Sequence, residues 1–142
     1  MKKWPLLSLC LLLVLPALAE KKIIYPAEFP ANAPFSPGVL VNGTLYVAGQ
    51  TGSDLKTNKL PDNFQDEVRN TLDRIGIILK AGGMGFSDVV NVTVYLTDIG
   101  LFQQMNEVYT TYFKMDRPAR ATVQVAGLVR GSKVEISVTA GK

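Results

Sequence analysis

Apolar residues recur along the chain with two different periods, and the changes of period divide it into elements. The stretch from 20 to 37 is punctuated by Pro26, Pro30, Pro34 and Pro37 and reads as an extended N-terminal arm. Val39-Leu40-Val41 and Thr44 to Gln50 then flank Asn42-Gly43. That dipeptide tolerates positive φ at both positions and is a strong hairpin signal. Thr51 to Pro61, rich in Gly, Asp, Asn and Lys, reads as a loop. The period then becomes helical: Phe64, Val68, Leu72, Ile75 and Leu79 form one stripe. Asp62 is the expected N-cap, with Gln65 three residues on as in a capping box, and Gly82-Gly83 ends the helix. Val89 to Thr97 is a β-branched strand. A second helix is predicted from about Ile99 to Phe113, with Phe102, Met105, Tyr109 and Tyr112 on one face and Arg117-Pro118 as its breaker. Two strands follow, Ala121 to Ala126 and Lys133 to Ala140, joined by a turn at Arg130-Gly131-Ser132.

The order β-β-α-β-α-β-β predicts an α+β domain in which a single sheet carries two helices on one face. Strand alternation puts Val134, Ile136 and Val138 under the helices and Glu135, Ser137 and Thr139 on the other side. It likewise sets Val90, Val92, Val94 and Leu96 against Asn91, Thr93 and Tyr95, and Val123 and Val125 against Thr122, Gln124 and Ala126. The second face is then small, uncharged and hydroxylated, with Glu135 as its only ionised residue. A solvated sheet face ordinarily carries more charge. This one is expected to pack against other subunits, the alternative being a simply exposed face.

Composition changes this picture mainly at the N-terminus. Lys2 and Lys3, the apolar run Leu6 to Leu15 and the small residues Ala17-Leu18-Ala19 have the architecture of a secretory signal peptide, too short to span a membrane. Cleavage is expected after Ala19, leaving residues 20–142 as one domain, exported to a periplasm or secreted, with no membrane association in the mature form. Removing Lys2 and Lys3 lowers the formal charge from +3 to +1. The basicity therefore argues for no nucleic-acid partner. Cys10 leaves with the leader and the chain has no histidine. Cysteine nucleophiles, histidine bases and the commonest metal sites are excluded, so no metal site is expected.

Chemistry must then rest on carboxylates, Arg, Lys, hydroxyls and backbone amides. Arg120 stands between Ala119 and Ala121, after a helix-stopping proline, among small residues that give it little local reason to be there. Its planar fork suits bidentate recognition of a carboxylate, although residue type alone fits a surface charge or ion pair equally well. Glu135 fits an interfacial ion pair or a functional carboxylate.

The run Pro118-Ala119-Arg120-Ala121-Thr122-Val123-Gln124-Val125-Ala126-Gly127-Leu128, followed by Val134-Glu135-Ile136, resembles the signature of the Rid family, the reactive intermediate deaminases also called YjgF-like proteins. Tyr46 to Gln50 resembles the family's strand ending in Ser-Gly-Gln, Val92 to Asp98 its central strand, and Phe102 to Phe113, with Asn106, its second helix. The likeness covers about residues 33 to 140. It implies a chorismate-mutase-like fold, a homotrimer with active sites between subunits, and hydrolysis of 2-imino acids such as 2-iminopropanoate and 2-iminobutanoate to 2-keto acids and ammonia without a cofactor. It further implies Arg120 as carboxylate clamp and Glu135 as the group directing water, with Phe35, Gly49, Asn106 and Thr122 completing the substrate pocket. Phe35 stands where the family often has tyrosine, Thr122 where it often has cysteine and Ala48 where it often has serine. The rival reading is a non-catalytic trimeric module that binds a small carboxylate such as a keto acid. A chaperone-like role and a ribonuclease activity are further alternatives.

Overall fold

The computed structural model describes residues 20–142; the expected leader lies outside them. One six-stranded sheet is built from β1 (Lys22–Ile24), β2 (Gly38–Val41), β3 (Thr44–Thr51), β4 (Val89–Leu96), β5 (Ala119–Gln124) and β6 (Val134–Gly141), in spatial order β1-β2-β3-β6-β4-β5. Two helices, α1 (Phe64–Ala81) and α2 (Phe102–Tyr112), pack on one face. The α+β architecture is the expected one. The last strand in sequence is central in space, antiparallel to both β3 and β4, whereas β5 is an edge strand parallel to β4.

Local chemistry explains most boundaries. Asn42 (φ 49°) and Gly43 (φ 73°) both take positive φ, giving the β2–β3 hairpin its tight turn. The N-cap of α1 is Asn63, not Asp62: its side chain accepts from the Asp66 N–H at 3.2 Å. Gln65 forms no capping box and instead donates to Glu107 Oε2 at 2.6 Å, tying α1 to α2. The stripe Phe64, Val68, Leu72, Ile75 and Leu79 is buried as predicted. The helix ends at Gly82-Gly83, where Gly83 takes φ +74°. The second helix begins later than expected. Residues Ile99–Leu101 form a 3-10 turn, opened by Asp98, whose Oδ1 accepts from Gly100 N at 2.8 Å.

Three expectations about strands fail, each for a physical reason. The N-terminal arm contains β1, which pairs antiparallel with β2; three residues before a proline-rich stretch are too few to show a period. In β4 the register shifts between Val89 and Asn91, so Val89 is buried while Val90 is 56% exposed. The last strand but one runs over Ala119–Gln124 rather than 121–126, and its faces are inverted. Arg120 pairs with Val92, Thr122 with Val94 and Gln124 with Leu96, all three partners fully buried under the helices. Ala119, Ala121 and Val123 therefore lie on the open face, and Arg120, Thr122 and Gln124 on the helix side. β5 is an edge strand beside the end of α2, where the helix side is not filled with hydrocarbon, so its apolar residues do not mark the core.

One buried carboxylate locks the helix layer to the central strand. Glu67 of α1 is 2% exposed, and its Oε1 accepts from the backbone N–H of Lys133 at 2.7 Å and of Val134 at 3.3 Å. It thereby fixes the start of β6, one residue before Glu135. Replacing Glu67 by alanine leaves two inner N–H groups without an acceptor and is expected to cost about 2–4 kcal/mol. Glu67→Gln, which retains an acceptor oxygen, should cost clearly less in urea denaturation.

Candidate active site

Arg120 is the second residue of β5 and is partly exposed on the helix side of the sheet. Its guanidinium carbon lies 4.5 Å from the centroid of the Tyr109 ring and 5.6 Å from that of Phe102, both on α2. These are cation–π distances, each contact contributing about 0.5–2 kcal/mol depending on desolvation. An open cleft of about 450 Å³ adjoins it, lined by Asn106, Tyr109, Thr110, Arg117, Pro118 and Arg120. Two guanidinium groups and no carboxylate line this cleft, which makes it a receptor for an anion. Thr122, two residues along the same face, has a buried hydroxyl with no hydrogen-bond partner, as has Tyr109. Burial pushes the Tyr109 phenol up from its ordinary range against the opposing charge of Arg120, so the hydroxyl stays protonated at neutral pH.

Glu135 belongs to the opposite face. It pairs with Tyr95 on β4 and with Thr51 on β3, while its neighbours Val134 and Ile136 point into the core. Gly49 lies beside it, within the irregularity that shifts the β3 register between Val47 and Gln50. A Cβ at Gly49 would run into the Glu135 carboxylate, so the absence of a side chain there makes room for the acid. The segment carrying Phe35 runs alongside: Pro37 O accepts from Ala48 N at 2.9 Å, and Phe35 itself is 56% exposed. Elsewhere on this face a shallow hollow of about 240 Å³ is bordered by Tyr46, Asn91, Thr93, Ser137 and Thr139. The uncharged, hydroxylated open face is thus as the sequence indicates, except that β5 contributes alanines and Val123 to it.

The sequence-predicted residues accordingly fall into two groups. Arg120, Asn106 and Thr122 gather at the sheet edge under α2, whereas Glu135 and Gly49 sit together on the open face with the Phe35 segment close by. Sequence reasoning missed Tyr109, Phe102 and Arg117 as parts of the site. The aromatic residues were legible only as a stripe at helical spacing, which ordinarily means core.

Comparison with known proteins shows the family and the fold. The model of the family described as Endoribonuclease L-PSP matches residues 26–142. A bovine (Bos taurus) protein named 2-iminobutanoate/2-iminopropanoate deaminase is 45% identical over 122 residues, covering 84% of this chain and 89% of its own. The human (Homo sapiens) protein of that name is 43% identical with the same coverage. Among solved structures, a protein of the conserved Rid family from Yersinia pestis superposes with TM-score 0.82 at 34% identity, covering 87% of this chain and all (100%) of its own. The E. coli protein TdcF, solved with bound serine, gives TM-score 0.79 at 33% identity, covering 85% and 98%. The chain belongs to this family, the Rid or L-PSP proteins, and has their α+β fold.

Gly49→Ala tests the contact with the acid. The new methyl group meets the movable end of a side chain rather than backbone, so we expect the denaturation midpoint to stay near that of the wild type. The Glu135 carboxylate should take a different rotamer, visible in a crystal structure of the variant.

Proposed function

We propose that the protein hydrolyses small 2-imino acids, of the 2-iminopropanoate and 2-iminobutanoate kind, to 2-keto acids and ammonia. The observation that carries this reading is the cleft at Arg120: two guanidinium groups, the Tyr109 hydroxyl without a partner among the described residues and no carboxylate in the lining, with the unpartnered Thr122 hydroxyl two residues further along the same strand face. The names of the bovine and human relatives, over most of both chains, support the same substrate class. An iminium carbon is electrophilic without a metal or a covalent nucleophile, so catalysis reduces to holding the carboxylate and delivering water. Arg120 grips the carboxylate, and Asn106 and Thr122 border it. Glu135 takes a proton from the attacking water as the new C–O bond forms at C2. That proton passes to the nitrogen, the C–N bond breaks as the new hydroxyl forms the C=O and gives up its own proton to the departing ammonia, and the products are the keto acid and ammonium.

Opposite parity on the sheet gives this mechanism a condition. Arg120 faces the helix side and Glu135 the open side of the same chain, so one imine carbon between them requires two copies. The site we propose takes Arg120, Asn106 and Thr122 from one subunit, and Glu135, Gly49 and Phe35 from the next, in a homotrimer assembled through the open faces. An RNA substrate fits less well, because Glu135 is the only ionised side chain that the described strands place on that face and residues 20–142 carry a formal charge of only +1. Residues 1–19 are proposed as an export leader cleaved after Ala19; the family match starting at residue 26 is consistent with that. Terminal sequencing of the protein from the periplasmic or culture fraction should read Glu20 first.

The decisive assay generates 2-iminobutanoate in situ with an amino-acid oxidase and follows keto-acid formation. Arg120→Ala is expected to lower kcat/KM at least about a hundredfold, and Glu135→Gln to lower kcat with little change in affinity for 2-oxobutanoate. Refolding the two inactive variants together should restore part of the activity. Failure of the mixture to recover would sink the shared site, and a wild type that binds 2-oxobutanoate without accelerating hydrolysis would sink the hydrolase.

A further inference from the structure

Five arginines lie in the described residues, and four of them have found acceptors. Arg69 donates to Asp66 Oδ1 at 2.5 Å, Arg74 to Gln50 Oε1 and Ser53 O at 3.2 Å each, Arg117 to Phe113 O at 3.4 Å, and Arg130 to Asn58 Oδ1 at 2.5 Å. Arg120 makes no hydrogen bond of good geometry and no ion pair among the described residues, although the Tyr109 hydroxyl lies close to its guanidinium. What holds it is the faces of two rings, Tyr109 at 4.5 Å and Phe102 at 5.6 Å. The two modes of restraint have different consequences. A guanidinium held by a carboxylate spends its N–H fork on that carboxylate, and a ligand must displace it. A guanidinium laid on aromatic faces is attracted through its plane, and the in-plane donors stay unspent.

We infer that Phe102 and Tyr109 are positioning residues for the clamp, acting through their ring faces: they fix the Arg120 guanidinium at the mouth of the cleft while leaving its hydrogen-bonding edge free for the carboxylate. The inference rests on Arg120 being the carboxylate contact. It adds the device that orders a long, flexible side chain before the ligand arrives, so that less conformational entropy is lost on binding. The two rings are placed for it by sequence spacing. Residues 102 and 109 are seven apart, two helical turns, so both project from α2 toward β5 on one side. Tyr109 is held rigid in turn, being 4% exposed and stacked on Phe113 with centroids 4.4 Å apart. Phe102, at 36% exposure, is the adjustable wall.

The ring faces restrain Arg120 in this account, and the Tyr109 hydroxyl takes no part in that restraint. Tyr109→Phe, which keeps the ring face, should therefore raise KM for 2-iminobutanoate and the Kd for 2-oxobutanoate clearly less than Tyr109→Leu does. Phe102→Leu removes one face without opening the core, and Tyr109→Leu removes the other. Each is expected to raise KM and the 2-oxobutanoate Kd by roughly three- to thirtyfold, with kcat changed by less than about threefold. Phe102→Tyr should restore both values. Should Tyr109→Leu fail to fold, the Phe102 pair still decides the matter. Unchanged KM and Kd in Phe102→Leu, or a Tyr109→Phe variant as impaired as Tyr109→Leu, overturns the inference. Calorimetric binding of 2-oxobutanoate keeps the test separate from the hydrolase reading. A wild type without turnover defeats the latter alone, while the order of the Kd values still decides the role of the rings.

Discussion

A side chain on a β-sheet belongs to one face only, and most of what this molecule can do follows from that constraint. β4 is paired on both sides, to β5 by Arg120 against Val92 and to β6 by Glu135 against Tyr95. Val92 is even-numbered in the strand and Tyr95 odd, so the two charged groups are sent to opposite sides of a closely packed layer. Sliding β6 by one residue would put the arginine and the carboxylate on the same side, but it would also expose Val134, Ile136 and Val138 to water. The hydrophobic core therefore sets the register, and the register separates the charges. The acid is given room where it emerges, by Gly49, and its strand is anchored just before it by Glu67.

The two halves of the site are built differently. The arginine half is aromatic and cationic, sits at a sheet edge under a helix, and contains buried hydroxyls that have no partner among the described residues. The acid half lies on a flat face of threonines, serine and asparagine with little concavity. Neither half encloses a small molecule alone. Binding to such surfaces gains from a second wall that excludes water and strengthens the charge–charge contact.

Much of this was legible in the sequence, and the exceptions are informative. Both helices, the hairpin at Asn42-Gly43 and the inward set of β6 followed from periodicity, because each element there has one face wholly in the core. The motif from Pro118 to Ile136 carried Arg120 and Glu135 with it. What failed was β5, where Val123 points out and Thr122 in. Period-2 reasoning assumes that the apolar side is the core side, and at an edge strand bordering a cleft that assumption reverses. The bulge at Val90 fails for a related reason: a run of valines carries no mark of which residue is the extra one. Phe102 and Tyr109 were visible as a stripe, but no pattern in one dimension distinguishes a ring packed on leucine from a ring packed on a guanidinium.

The position of β6 has a consequence in time as well as in space. It is the last strand of the sheet to be synthesised, yet it supplies the centre, between β3 and β4. Until it arrives, those two strands have no partner on their facing edges, and Glu67 lacks the N–H groups it accepts from, 66 residues further on. Nascent chain emerging from the ribosome thus holds two half-sheets that cannot close on each other. Closure of the sheet waits for β6, and a chain stopped a few residues short of it loses the middle of its sheet rather than its margin.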